Sequence, residues 1–538
     1  MQTTFLLLLP QTVVALQAAL FILGGTFPIP ARRWGPLALV ALLLGGAALH
    51  YSSGLDIAAD ATQTLAVVRT PLTVGFQWAT LVIGALLVLL SMQSQSASKS
   101  AAEFYGMFLL MLAGLMLVAV AGDLILLFLA LELISIPTYV LLYLGRNDYA
   151  SQEASTKYFL LSVFSAAILL YGFAFLYGLA GTTQLEGIRL VLSQAYKSSV
   201  AGTPNASGSV LGVVALVLIT AGLGFKMAAV PFHFYAPDVY QGTSAFNAGV
   251  LAILPKAAGL VALIRVGAET MVGFETTGQQ LTLIVAAITM TGGNCLALLQ
   301  TNVRRMLAYS GVAHAGYMLI GVAVGFWESW NPALRLEQTT GPLAFMGLPS
   351  GVHASLLYLL AYSLTSAGLF GVLVYLARPG KQVEHVDDLT GLAKTQPLVA
   401  IVAAVFLFSL AGIPPLPGFW AKLSVFTTAL SVRQETADSL AAVHPAFVAL
   451  AVIGVINAAI GAVYYLRLIS AMFLNEPLST ARPAGGRAAL VSVYCAAVLV
   501  VLLGLIPGPV FHYLQQPARA AAVSATPAVG VSPAVSSR

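Results

Sequence analysis

The chain has 538 residues, of which 59% are hydrophobic and 8% charged, with 24 Lys+Arg against 19 Asp+Glu and a formal net charge of +5. A water-soluble domain carries roughly 25% charged residues, so that class is excluded; a disordered chain is excluded by the high apolar fraction. The few basic residues are spread along the whole length, which leaves no basic stripe for nucleic acid.

Apolar runs separated by short polar breaks predict membrane-spanning helices near 4–24, 35–51, 70–92, 104–121, 123–144, 157–180, 209–230, 245–268, 279–299, 303–326, 353–376, 397–431, 445–474 and 488–507. Each of these fourteen runs is close to the ~20 residues that cross a bilayer, except 397–431, which is too long for one straight crossing. Runs 104–121 and 123–144 are divided at Gly122 and Asp123, because a single helix of ~40 residues would overshoot the membrane. The first run lacks the basic start and small-residue cleavage pattern of a signal peptide, so it counts as a span. The segment 197–209 reads as a loop insertion, and the chain beyond about 515, rich in Ala, Pro, Ser and Val, as a flexible extension. With the N-terminus outside, the inner loops hold eleven Lys and Arg against eight outside, and an even number of spans puts both termini on the outer side.

Cys295 and Cys495 both lie in apolar runs. Two thiols are too few for an iron–sulfur cluster and these are too far apart to read as a zinc pair, so they are expected to be small buried packing residues. No glycine-rich phosphate-binding motif follows a strand-like run. The sequence therefore points to no metal, nucleotide or redox centre on this chain.

Charges within the spans stand out, because one at a helix centre costs on the order of 3 kcal/mol on insertion scales. Glu132 is the tenth residue of its run, with Pro137 five residues later. It cannot easily snorkel, and is either a functional acid or a structural partner to one base. Lys256, beside Pro255, is equally central. Lys226 precedes Pro231 in GFKMAAVPFH, where the proline frees backbone carbonyls at membrane depth. Lys422 follows Pro414, Pro415 and Pro417 in AGIPPLPGFWAKLSVF, a run that resolves as two half-helices around an unwound stretch. Charged, broken helices mark membrane transport sites. Lys157 starts its run and either functions or reaches the interface. His314, in LAYSGVAHAGYM, is a candidate proton relay or a hydrogen-bonded packing residue, and His233 a relay or a satisfied loop histidine. Arg467 reads as an interfacial anchor and Asp123 as a helix cap.

An ordinary lysine holds its proton at neutral pH, and desolvation is what lets a buried one exchange it. A carboxylate alongside restores the charged form, so a Glu–Lys pair of variable separation acts as a proton gate.

These residues resemble subunit N of the proton-pumping NADH–quinone oxidoreductases (respiratory complex I), an antiporter-like membrane subunit. The resemblance is carried by LALELISIPTYVLLYL at 129–144, FKMAAVPFHFYAPDVYQG at 225–242, ILPKAAGL at 253–260, NVRRMLAYSGVAHAGYMLIG at 302–321, SLAGIPPLPGFWAKLSVF at 409–426 and YYLRLI at 464–469, and covers most of 100–470. It implies an all-α polytopic membrane fold of about fourteen helices, with two inverted five-helix repeats and two broken helices. The divisions are 1–100 for N-terminal spans, 101–270 and 271–475 for the repeats, 476–514 for a last span and 515–538 for the tail. It implies that Glu132 and Lys226 form an ion pair, that Lys256 is a central and Lys422 a terminal lysine, and that His233, His314 and Lys157 belong to the same polar axis. It further implies proton translocation in a bacterial inner membrane, next to other membrane subunits, notably K and M. NAD, FMN, iron–sulfur clusters and quinone would be bound by other subunits, and none by this chain.

A cation/proton antiporter subunit shares the helix plan and is the main alternative; a silent scaffold would not need four central charges. A sodium site prefers oxygen ligands, as other hard cations do, and further buried carboxylates suited to it are not evident.

Overall fold

The computed structural model describes residues 2–54, 66–145, 148–200, 206–330, 350–378, 382–432, 444–477 and 483–514. The expected tail beyond 515 therefore lies outside the described residues. In chain order the main helices are α1 (Gln2–Gly24), α2 (Trp34–Ser53), α3 (Pro71–Gln95), α4 (Ala101–Val120), α5 (Leu124–Gly145), α6 (Tyr149–Ala180), α7 (Leu185–Val200), α8 (Ala206–Met227), α9 (Tyr235–Gly242), α10 (Ala245–Leu263), α11 (Glu275–Leu298), α12 (Val303–Trp330), α13 (Gly351–Leu376), a single turn α14 (Leu392–Thr395), α15 (Pro397–Ala411), α16 (Pro417–Ser431), α17 (Pro445–Leu474) and α18 (Gly486–Leu505). α10 runs on through a π-helical turn, Ile264–Ala268. Among the described residues, thirteen helical segments are long and apolar enough to cross a membrane. The broken pair α15 and α16 brings the number of spans to the fourteen expected.

Burial sorts these helices into a centre and a shell. The α10 span is buried along its whole apolar window, and those of α12 and α13 nearly so, whereas α1, α6 and α17 bury about a third of theirs. Helices apolar all round are at home in either place, because lipid is as apolar as a protein core. Close approach then relies on small residues. Where α11 crosses α12, a Cβ on Gly293 would collide with the backbone of Ala313, so glycine sets that contact.

Two breaks interrupt the spans, as the prolines predict. α8 stops at Met227, Ala228 adopts φ +58°, and the turn before α9 is held where Val230 N donates to Thr289 Oγ1 at 3.0 Å. A non-glycine residue at such a φ is uncommon and strained. α15 stops at Ala411, Gly412 takes φ +88° as its cap, and Pro417 starts α16.

Several expectations need correction. α6 begins eight residues before Lys157, which therefore lies within the helix rather than at its start. The supposed loop insertion is helical at both ends, since α7 reaches Val200 and α8 begins at Ala206; only 201–205 lie outside the described residues. Cys295 and Cys495 are exposed on their helices, not buried. An apolar run does not say which side faces lipid. Glu328, placed beyond the run ending at 326, is fully buried and accepts from Gly351 N at 2.9 Å, so it caps α13. Arg304, counted among the inner-loop charges, is fully buried at the start of α12.

Asp123 caps as expected: its Oδ1 accepts from Ile125 N at 2.8 Å. Arg467 donates to the carbonyls of Leu298 (3.3 Å) and Gln300, closing the end of α11.

Candidate functional site

At one end of the site, α5 carries Glu132 and Ser135 one turn apart. The Lys226 ammonium lies 3.6 Å from Glu132 Oε1 and donates to Ser135 Oγ at 2.7 Å. The pair is thus an ion pair in contact range, not a hydrogen bond. Lys226 is 5% exposed in its side chain and Glu132 20%.

α8 and α10 pack closely at Gly259, where a Cβ would press on the Lys226 side chain and the Leu223 carbonyl. Lys256 leaves α10 one turn earlier. Its ammonium donates to the Gly311 carbonyl at 2.5 Å and to the Tyr362 hydroxyl at 3.3 Å. A Cβ on Gly311 would sit 2.9 Å from both the ammonium and that hydroxyl, so glycine keeps the position open.

Tyrosines connect Lys256 with the far end. The Tyr362 ring lies 5.0 Å from the His314 ring, centre to centre. His314 is buried on α12, with Nδ1 2.8 Å from the Tyr358 hydroxyl and Nε2 3.0 Å from that of Tyr465, which also bonds Ser310. Tyr358 stacks on Tyr317. The Lys422 ammonium stands 5.3 Å from the centre of the Tyr317 ring.

Lys422 owes its position to the second break. The α15 carbonyls of Leu410 and Ala411 lose helical donors there, and Lys422 Nζ donates to both, at 3.0 and 2.8 Å. A cation at the negative end of a helix is also favoured by the helix dipole. The broken helix thus holds the charge that its sequence pattern suggested.

Tyrosines join Lys256, His314 and Lys422 into one buried series; the Glu132–Lys226 pair sits on α5 and α8, both of which pack against α10. Lys157 and His233 are placed apart from these. Lys157 is 43% exposed in its side chain and pairs with Glu153 at 2.7 Å and Asp238 at 3.3 Å. His233 lies on the turn between α8 and α9, its ring 6.3 Å from Tyr309. The sequence reading missed Tyr317, Tyr358, Tyr362 and Tyr465. The available signal was their helical register: Tyr358 and Tyr362 are four residues apart on α13, and Tyr317 follows His314 by three, so each pair shares a helix face.

Helices broken at prolines, with charges placed at or beside the breaks in a buried polar row, define an antiporter-like membrane protein. The family described as NADH:quinone oxidoreductase/Mrp antiporter, transmembrane, matches residues 121–334 and 343–460. NADH-quinone oxidoreductase subunit N of Chloroflexus aggregans is 35% identical over 522 residues, covering 95% of this chain and 96% of that protein. A chain of respiratory complex I from Thermus thermophilus, solved with bound aureothin, is 29% identical, with a TM-score of 0.69 over 93% of this chain and 98% of that one. A chain of the Mrp complex from a Dietzia species has the same fold, with 23% identity and a TM-score of 0.70 over 96% of each chain. The chain belongs to the NADH-quinone oxidoreductase subunit N family, within the wider NADH:quinone oxidoreductase/Mrp antiporter group.

Proposed function

We propose that this chain translocates protons across a bacterial inner membrane as a subunit of NADH–quinone oxidoreductase. The observation that carries the proposal is the buried series of Lys256, Tyr362, His314 and Lys422, with the Glu132–Lys226 pair on helices packed against α10. Hydrocarbon makes such groups costly, and they persist where they line an ion path. Protons pass between lysines through His314, the tyrosine hydroxyls and intervening water, which bridges gaps beyond ~3.5 Å. Lys226 holds its proton while Glu132 is close and releases it when the two separate. Residues 101–270 and 271–475 act as two repeats, each contributing one broken helix and its lysine.

The driving energy comes from quinone reduction on other subunits, where NAD, FMN and iron–sulfur clusters also reside. Subunits K and M are the membrane neighbours. Both termini face outward, consistent with the basic loops; labelling of the tail near Arg519 from the cytoplasmic side would contradict this placement.

A cation/proton antiporter subunit is the competing reading, since the wider family and the Mrp fold include it. The series supplies one carboxylate, Glu132, and otherwise amines, phenols and an imidazole, a donor set that repels a hard cation more than it holds one. Proton uptake into vesicles containing the assembled complex tests the choice. Uptake driven by NADH in sodium-free buffer is the expected result; transport that requires sodium would favour the antiporter.

A further inference from the structure

A cavity of about 290 Å³ lies beside the polar series, between α3, α4, α10, α13 and the helical stretch 508–514. Its shape follows from its lining. On α3 it runs from Leu72, the second residue, to Ile83, the middle one; on α13 from Leu356 to Ser363, again mid-helix; on α10 it meets Ile253, Leu254 and Ala257, around the midpoint of that span. It is a slot that starts at one end of α3 and stops halfway through the bundle. At about 1.5 Å per residue the α3 wall is roughly 16 Å long, and half of a ~30 Å hydrocarbon core is about 15 Å. The slot is one leaflet deep.

The lining is almost wholly apolar, and two of its three polar side chains, Thr80 and Tyr513, are turned to backbone. Thr80 donates to the Phe76 carbonyl at 2.9 Å, and Tyr513 to the Pro71 carbonyl at 2.5 Å, which fastens the stretch 508–514 across the slot. An apolar cavity does not hold water. Its volume is at the small end for ligand sites, which run from about 300 Å³ upward, and suits a single unbranched tail rather than a ring system with substituents.

We infer that this slot binds one acyl chain of a membrane phospholipid. The occupant's chemistry is set by the apolar walls and its length by the leaflet, which an acyl chain matches. The chain tip abuts Ala257 and Ser363, which directly follow Lys256 and Tyr362 in sequence. The lipid therefore packs the back of the helices that carry the polar series and keeps water out of that flank. The inference holds whether or not the series moves protons.

The test uses the whole complex, purified in mild detergent and returned to vesicles of phosphatidylcholine and phosphatidylethanolamine. The vesicles are doped with phosphatidylcholine bearing a diazirine midway along one acyl chain. After irradiation, label should concentrate on 72–83, 253–257 and 356–363, about tenfold above the lipid-facing Leu43 and Leu129. Ala79→Phe fills the slot and should cut label at Ile253 and Leu359 about tenfold, with Leu43 unchanged. Lining label no higher than at Leu43, or label indifferent to Ala79→Phe, would overturn the inference. So would capture of a quinone with a photoreactive isoprenoid tail in place of the phospholipid. Complete protection of the lining, as a neighbouring subunit's side chains would give, also overturns it. The wild-type pattern decides the matter by itself if the variant fails to assemble.

Discussion

Tyr362 accepts a hydrogen bond from Lys256 at 3.3 Å while its ring lies 5.0 Å from that of His314, so one side chain touches both titratable groups. The Lys256 ammonium is also 4.8 Å from the centre of the same ring. Hydroxyl and ring can be tested separately.

Tyr362→Phe keeps the ring and its attraction for the cation but removes the hydroxyl. A hydrogen bond to a charged group is worth about 1.5–3 kcal/mol, so proton pumping should fall about tenfold while the complex still assembles. Pumping per assembled complex, measured in vesicles, checks this; an unchanged rate would remove Tyr362 from the path.

Gly311→Ala should slow pumping with little effect on stability. The added methyl would sit 2.9 Å from the Lys256 ammonium and from the Tyr362 hydroxyl. The lysine end is flexible, so it moves aside and leaves the Gly311 carbonyl. The expected result is a loss of rate of about tenfold, the equivalent of one charged hydrogen bond, with a thermal midpoint shifted by no more than a few degrees. A large drop in thermal midpoint would mean that the backbone, not the lysine, has yielded.

Glu132→Gln removes the carboxylate next to a buried ammonium. Stripping one partner from a buried ion pair costs about 3–5 kcal/mol; the partial exposure of Glu132 and the Ser135 hydrogen bond bring this to about 2 kcal/mol or less. Pumping should fall sharply, and Glu132→Asp should restore part of it. Equal loss in Gln and Asp variants would show that position, not charge, matters there.

Arg304→Gln should destabilise without altering the path. Arg304 is fully buried, donating to the Thr243 carbonyl at the end of α9, to Gln382 at 3.0 Å and to Glu384 at 2.7 Å. Loss of a buried charged anchor is worth about 2–4 kcal/mol, read as a lower thermal midpoint and a lower yield of complex. Pumping per assembled complex should stay near wild type.

The spans and the charges were readable in the sequence for one reason. Hydrocarbon imposes a length on every crossing and a penalty on every charge, so Glu132, Lys256 and Lys422 stood out against an apolar background. The breaks at Pro231 and Pro414–Pro417 were readable because proline removes a backbone donor. Tyr317, Tyr358 and Tyr362 carried only the weaker signal of a shared helix face, since a tyrosine in an apolar helix is as ordinary in a core as at a membrane interface. The helix Leu185–Val200 escaped because its mixed polar sequence, with Glu186 and Arg189 paired at 2.6 Å on its surface, fails any test for a membrane span. Exposure of Cys295 and Cys495 could not be read either, because lipid and protein interior select the same residues.

Of the lysines proposed to carry protons, Lys256 is the most deeply buried, 2% exposed. Lys256→Met keeps the bulk of the side chain and removes the amine, with its bonds to the Gly311 carbonyl and the Tyr362 hydroxyl. NADH-driven acidification of vesicles holding the assembled variant complex is the most direct measurement. Pumping should be abolished or nearly so, with normal assembly and the same subunit composition as wild type. Pumping at the wild-type rate in a correctly assembled Lys256→Met complex would contradict a proton-carrying role for Lys256.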